Sequence, residues 1–198
     1  MEITAGMVKD LRDRTNVGMM DCKKALQDTA GDMEKAVDLL RQKGLAKAMK
    51  RAGREATEGV VHAYIHSGGK IGVLVEVNCE TDFAAKSEDF SEFVRNIALQ
   101  IAAANPLGVT AEDIPDDMVQ RERGIYMAQA AESGKPQNIL EKMVDGKMRK
   151  FYEENALMDQ KFIKDPDKTI QDYLNELTGK IGEKIMVRRF CRYQLGGE

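Results

Sequence analysis

Histidine is scarce in this sequence, with only His62 and His66 among 198 residues. Both fall in a run that reads as a strand, where positions four apart share a face but stand about 13 Å apart at roughly 3.3 Å per residue. They cannot reach one metal ion at the ~2 Å that imidazole ligation requires. Cysteine is almost as scarce. Cys22, Cys79 and Cys191 are odd in number, scattered and without a C-x-x-C pair, which argues against a disulfide framework and for a reduced, cytoplasmic setting. No stretch approaches the ~20 apolar residues of a membrane span. The opening MEITAGMVKDLRDR carries charges where a secretory signal would have its apolar core, so no membrane association is expected. Charge of one sign is lacking too: 30 basic against 33 acidic residues leave a net of -3. That balance creates no overall field for nucleic acid, and direct binding of one would need a local basic patch.

The usual catalytic constellations are also missing. There is no G-x-x-x-x-G-K-[ST] loop to cradle phosphates, and SGGKIG lacks its spacing. There is no H-E-x-x-H and no G-x-S-x-G. A dispersed arrangement of Glu80, Asp82 and a lysine is all that remains for catalysis, so a non-enzyme without cofactor or metal is expected. Any role in nucleotide chemistry would then run through a partner.

What is present is a folded chain, with 42% hydrophobic and 32% charged residues, long enough for one ordinary domain and a smaller second one. Residues 3 to about 43 read as three short helices. Thr4 caps the first, with Met7, Val8 and Leu11 at helical spacing; Gly31 closes the second, MMDCKKALQDT; Asp32 caps the third, MEKAVDLLRQK. From Gly44 to Gly59 the composition changes. Lys47, Lys50, Arg51 and Arg54 stand at i, i+3, i+4 and i+7 and form one basic face if the segment is helical. GVVHAYIH and KIGVLVEVN then flank the turn SGG and read as a hairpin. A helix capped by Ser87 follows, ended by Asn105-Pro106. Thr110 and Asp113 make a capping-box start before DDMVQRERGIYMAQAAESG. Helical patterns continue through QNILEKMVDGKMRKFYEEN and KTIQDYLNELTG, and EKIMVRRFCRY alternates as a third strand. The expected fold is α+β: a helical domain over 1–43, a basic helical connector over 44–58, and over 59–198 a core of a small antiparallel sheet covered on one side by helices.

Phe83 fits none of this periodicity. It follows Asp82 in the polar stretch NCETDFAAKSEDF, between the strand and the next helix. Spacing leaves two readings open. Thr81 or Asp82 caps a short helical turn while Phe83 folds under beside Phe90 and Phe93; or Phe83, ringed by Glu80, Asp82, Glu88 and Asp89, is lifted out as an anchor for a partner protein. It stands outside the helical face of Phe90, Val94, Ile97 and Ile101.

Three stretches, LRDRTNVGMMDCKKAL, NCETDFAAK and GKPQNILEKMVDGKMRKF, carry a resemblance to the translation elongation factor Ts family, guanine-nucleotide exchange factors of elongation factor Tu. It extends from Ile3 to Leu195. The resemblance implies that the N-terminal helices form a ubiquitin-associated-like bundle. It also implies that Thr81, Asp82 and Phe83 are an intruding turn whose phenylalanine enters an apolar pocket of the Tu nucleotide domain near its magnesium site. Met19, Met20 and Lys23 match residues that dock on that same domain, one methionine being expected to point inward. His66 resembles a core histidine that also touches Tu, and Cys22 and Cys79 read as small buried fillers. Two departures stand out: Asn16-Val17 in place of a Gly-Ala type of turn, and Ala84 where valine is frequent. Longer members carry a second core half and a coiled-coil excursion. This chain resembles the short, homodimeric class, with VRRFCRYQLG as an exposed edge strand open to pairing and Cys191 on it positioned to meet its symmetry mate. Two other readings compete. One is a ubiquitin-like or peptide-binding adaptor working through the helical head; the other is an RNA-binding module using the Lys47 to Arg54 stripe, without an aromatic platform.

Overall fold

A computed structural model describes residues 3–15, 17–51, 53–133 and 136–197, without the side chains of residues 45 and 47–50. Asn16, the side chains of Lys47 and Lys50, and Gly134-Lys135 of the third family-like stretch lie outside the described residues. In chain order the elements are α1 (Ala5–Thr15), α2 (Met19–Asp28), α3 (Met33–Arg51), β1 (Glu58–Ile65), β2 (Ile71–Cys79), α4 (Asp82–Ala85), α5 (Glu88–Ala104), a 3-10 turn (Ala111–Asp113), α6 (Asp116–Ala131), α7 (Gln137–Asn155), β3 (Lys161–Phe162), β4 (Asp165–Thr169), α8 (Ile170–Ile181) and β5 (Ile185–Gln194). The architecture is α+β, as the sequence implies. The chain divides into two compact units: Met1–Val60 with Asn78–Phe93 and Leu174–Met186, and Val61–Val77 with Val94–Tyr173 and Val187–Glu198.

In the first unit α1, α2 and α3 pack as a bundle. The Met7 N–H donates to Thr4 Oγ1 at 3.3 Å and the Lys35 N–H to Asp32 Oδ1 at 3.1 Å; each cap satisfies an N–H that the helix start would otherwise leave open. α2 ends on a left-handed pair, Ala30 at φ 52° and Gly31 at φ 84°, and the Gly31 N–H returns to the Leu26 carbonyl at 2.8 Å. That bond satisfies a carbonyl the helix end would leave open. Val8, Leu11, Cys22, Ala25, Leu26, Ala36 and Leu40 form the bundle's core. α3 runs through Gly44 to Arg51 without interruption, so no helix end marks residue 43. A glycine inside a helix costs only about 1 kcal/mol against alanine, and the alanines, lysines and leucine around it are strong helix formers.

Three strands form a sheet in the order β1-β2-β5. The β1-to-β2 turn closes by the His66 N–H donating to the Ile71 carbonyl at 2.9 Å, with Gly68 and Gly69 at φ 86° and 67°. Along β2, Val73, Val75 and Val77 are buried while Leu74 is exposed, the alternation expected of a sheet covered on one face. In the second unit, α6 and α7 pack together over Ile114, Ala130, Val144, Met148 and Phe151.

The capping box exists, with the Thr110 N–H donating to Asp113 Oδ2 at 2.9 Å, but it closes the 3-10 turn rather than a long helix. Pro115, which has no N–H to continue that turn, stands before α6. The two-stranded sheet of β3 and β4 was not expected from the sequence. Its strands are too short to show alternation, and β4 contains Pro166. Buried Gln100 supports it by donating through Nε2 to the Lys161 carbonyl and to Gln160 Oε1, both at 3.1 Å, and by accepting the Ile163 N–H at 2.9 Å.

Candidate functional site

β2 ends at Cys79, and the chain turns at once into α4, a single helical turn. Thr81 is its cap: the Ala84 N–H donates to Thr81 Oγ1 at 3.3 Å. Ser87 closes the other end, its hydroxyl donating to the Ala84 carbonyl at 2.8 Å and accepting the Phe90 N–H at 3.2 Å to start α5. A turn capped at both ends leaves little choice of direction. Ala84 takes the inward position at 5% exposure, and Phe83, about 100° round the helix, is 82% exposed. Phe90 and Phe93 are fully buried. The reading in which Phe83 joins them is therefore not the one the chain adopts.

The residues before the turn are tied down more heavily. Cys79 is buried, and its thiol donates to the Thr81 carbonyl at 3.1 Å. The Thr81 N–H and hydroxyl donate to the two oxygens of Glu183, at 3.0 and 2.7 Å. Glu80 accepts from the Lys184 N–H and pairs with Arg54 at 3.1 Å, while Lys184 Nζ donates to the Arg54 carbonyl at 2.7 Å. Asp82 pairs with Lys86 at 2.7 Å. These contacts set the electrostatics. The Lys86 bond holds the Asp82 carboxyl below its ordinary value, and the Lys184 N–H, helped by Arg54, does the same for Glu80. Burial, reinforced by the Glu183 charge, pushes the Cys79 thiol up to about 11.

On α2, Met19 and Met20 are 55% and 75% exposed, and Lys23 is exposed. The expectation that one methionine points inward is not met. Cys22, Ala25 and Leu26 occupy the inward side of α2, Val17 and Met33 pack against the same cluster, and neither Met19 nor Met20 joins it. His66 is corrected as well. It is exposed in the hairpin turn, with Nδ1 3.0 Å from the Tyr64 hydroxyl, and is not a core residue. Cys22 and Cys79 are buried, and Cys191 is half-buried on β5, all three as free thiols. Of the basic stripe, Arg51 donates to the Thr178 carbonyl at 3.4 Å and Arg54 is held by Glu80, so these two cations are engaged within the fold. Among the described residues no group of His, Cys, Asp and Glu could hold a metal, and no helix is long and apolar enough to cross a membrane.

Sequence reasoning missed Glu183 and Lys184 altogether. Glu183 lies 102 positions from the threonine it holds, beyond any local pattern. The only local sign is Gly182, the glycine that ends α8 at φ 86°.

The family described as Elongation factor TS matches residues 44–197. The chain is 77% identical over 198 residues to Elongation factor Ts of Syntrophobacter fumaroxidans, covering 100% of this chain and 99% of that protein. It is 60% identical over 194 residues to Elongation factor Ts of Desulfosudis oleivorans, covering 98% of each. With Elongation factor Ts of Thermoanaerobacter pseudethanolicus it shares 58% over 194 residues, 98% of this chain and 95% of that one.

Proposed function

The chain belongs to the elongation factor Ts family, and on that premise we propose that it is a guanine-nucleotide exchange factor for elongation factor Tu in translation. It binds GDP-bound and nucleotide-free Tu and accelerates GDP release. The observation that carries this reading is Phe83, 82% exposed on a turn fixed at both ends. A large apolar side chain held rigidly in water gains nothing from burial in the free protein, and it suits a pocket that covers it in a complex.

The energetics call for more than this one residue. An exchange factor must bind nucleotide-free Tu better than nucleotide-bound Tu, and by linkage GDP and the factor weaken each other equally. A thousandfold faster release needs about 4 kcal/mol of differential stabilisation, at ~1.4 per decade. Burying one phenylalanine supplies only ~1.5–3 kcal/mol. The grip therefore has two points. Met19, Met20 and Lys23, exposed on α2, dock on one side of the Tu nucleotide domain. Thr81, Asp82 and Phe83 enter near its magnesium and phosphate site, Phe83 wedging helices apart. His66, exposed in its turn, is a further contact. The nucleotide and its metal belong to Tu, so this chain needs no cofactor and no catalytic group of its own.

The same reading assigns residues 1–43 to docking, 44–58 to the connector and 59–198 to a core that also forms a homodimer, acting in the cytoplasm. β5, an edge of the sheet, is the pairing strand, with Cys191 on it near the symmetry mate. Release of fluorescent GDP from elongation factor Tu tests the proposal, with wild type and Phe83→Ala at equal concentration. Wild type is expected to accelerate release and Phe83→Ala to lose at least about tenfold, with melting temperature unchanged. The ~1.5–3 kcal/mol of one buried aromatic side chain is roughly one to two decades at ~1.4 kcal/mol per decade. A wild-type protein that leaves GDP release untouched would end the exchange reading.

A further inference from the structure

We infer that Glu183 is a positioning residue for nucleotide exchange: by holding Thr81 through both carboxylate oxygens, it fixes the direction in which Phe83 is presented. The inference rests on the reading of Phe83 as the wedge. Phe83 is 82% exposed, so its own packing cannot orient it in the free protein. α4 is four residues long, and one helical turn has little stability by itself because nucleation is unfavourable. Ser87 ties its far end to α5, and its near end takes its direction from the residue that starts it.

That residue is Thr81, and each of its polar groups is engaged. Its N–H and hydroxyl donate to Glu183 at 3.0 and 2.7 Å, its carbonyl accepts the Cys79 thiol at 3.1 Å, and its hydroxyl oxygen also accepts the Ala84 N–H at 3.3 Å. Glu183 reaches this place because Gly182, at φ 86°, ends α8 and sends its N–H back to the Thr178 carbonyl at 3.0 Å. The clasp is reciprocal, since the next residue, Lys184, gives its N–H to Glu80. Glu80 thus holds the end of the strand, and Glu183 holds the start of the helix. The residue type follows from the donors it faces. The N–H and the O–H are met by two separate acceptor oxygens, which a carboxylate offers, whereas an amide offers one and turns a donor NH2 to the other. Bonds to a charged acceptor are also about twice as strong as neutral ones.

The test is a double-mutant cycle read by stopped-flow release of fluorescent GDP from elongation factor Tu at saturating factor. Glu183→Ala and Glu183→Gln are each made with Phe83 present and with Phe83→Ala, and melting temperatures are recorded. In the Phe83 background Glu183→Ala should slow the maximal release rate about tenfold, the loss expected of charge-assisted hydrogen bonds. Glu183→Gln, which keeps the shape and one acceptor, should fall between. In the Phe83→Ala background either change should alter the rate by less than about twofold, because a residue acting through Phe83 has nothing left to act on. A full-rate Glu183→Ala, or an equal loss in both backgrounds, overturns the inference while leaving the exchange reading intact. If Glu183→Ala does not fold, the Glu183→Gln cycle decides by the same two outcomes. Failure of wild type to accelerate release overturns the exchange reading, and this inference with it.

Discussion

Cys79 sits where β2 gives way to the Phe83 turn, and its chemistry follows from that place. Its side chain is fully buried, and the thiol serves as a donor to Thr81. Burial pushes its ionisation up to about 11 from an ordinary 9.0. Below pH 9.0 the thiol is protonated in folded and unfolded chains alike, and its contribution to stability is intact. As pH rises toward 11 the unfolded chain releases the proton while the folded one keeps it, so stability is lost over that window. Cys79→Ser keeps a donor that does not titrate there. Its urea midpoint should therefore fall less than that of wild type between pH 9 and 11; parallel declines would show that Cys79 ionises freely in the fold. That Cys79 is a small buried residue is legible in the sequence, from its place at the end of an apolar run. Its bond to Thr81 is not, because hydrogen-bond geometry depends on the turn that follows.

Among the elements, those with a period were legible and those without one were not. The bundle helices, the hairpin, α5 and β5 all carry apolar spacings of 3.6 or 2. The β3–β4 pair carries none, and the uninterrupted passage of α3 through Gly44 rests on the helix propensity of its neighbours outweighing one glycine, a balance that no apolar spacing announces. The link between the 3-10 turn and α7 is another such case. The Leu157 N–H donates to the Gly108 carbonyl at 3.0 Å, and Gly108 forms a parallel bridge with Ala156. A Cβ added at Gly108 would stand 2.9 Å from Asp113 Cβ and 3.0 Å from backbone atoms of Asp113 and Ile114. Asp113 cannot easily yield, since the capping box ties it to Thr110. Gly108→Ala should cost about 1–3 kcal/mol in urea unfolding, the range for overpacking a tight site. A loss under ~0.5 kcal/mol, within ordinary surface-substitution scatter, would mean that the turn moves aside.

For the molecule as a whole, the expectation of a homodimer leads to a direct measurement. β1 and β5 are the two edges of the sheet, and exposed apolar residues sit along both, Val61 and Ile65 on β1 and Tyr193 on β5 with Leu195 just after it. Unpaired edges with apolar side chains favour pairing with another chain. Sedimentation equilibrium should give about twice the chain mass of 22.1 kDa, and Tyr193→Asp with Leu195→Asp should return it to one chain mass. A wild-type protein that sediments as a monomer would overturn the dimer. The sequence by itself determined the helical head, the α+β class, the absence of phosphate-loop and metal motifs, and the odd placement of Phe83, because each is a local pattern or composition. Whether Phe83 faces water or the core, and that Glu183 holds Thr81 from 102 positions away, only the tertiary structure decided. A side chain's direction at a turn is set by the caps and clasps around it, and those come from parts of the chain that no local window can bring together.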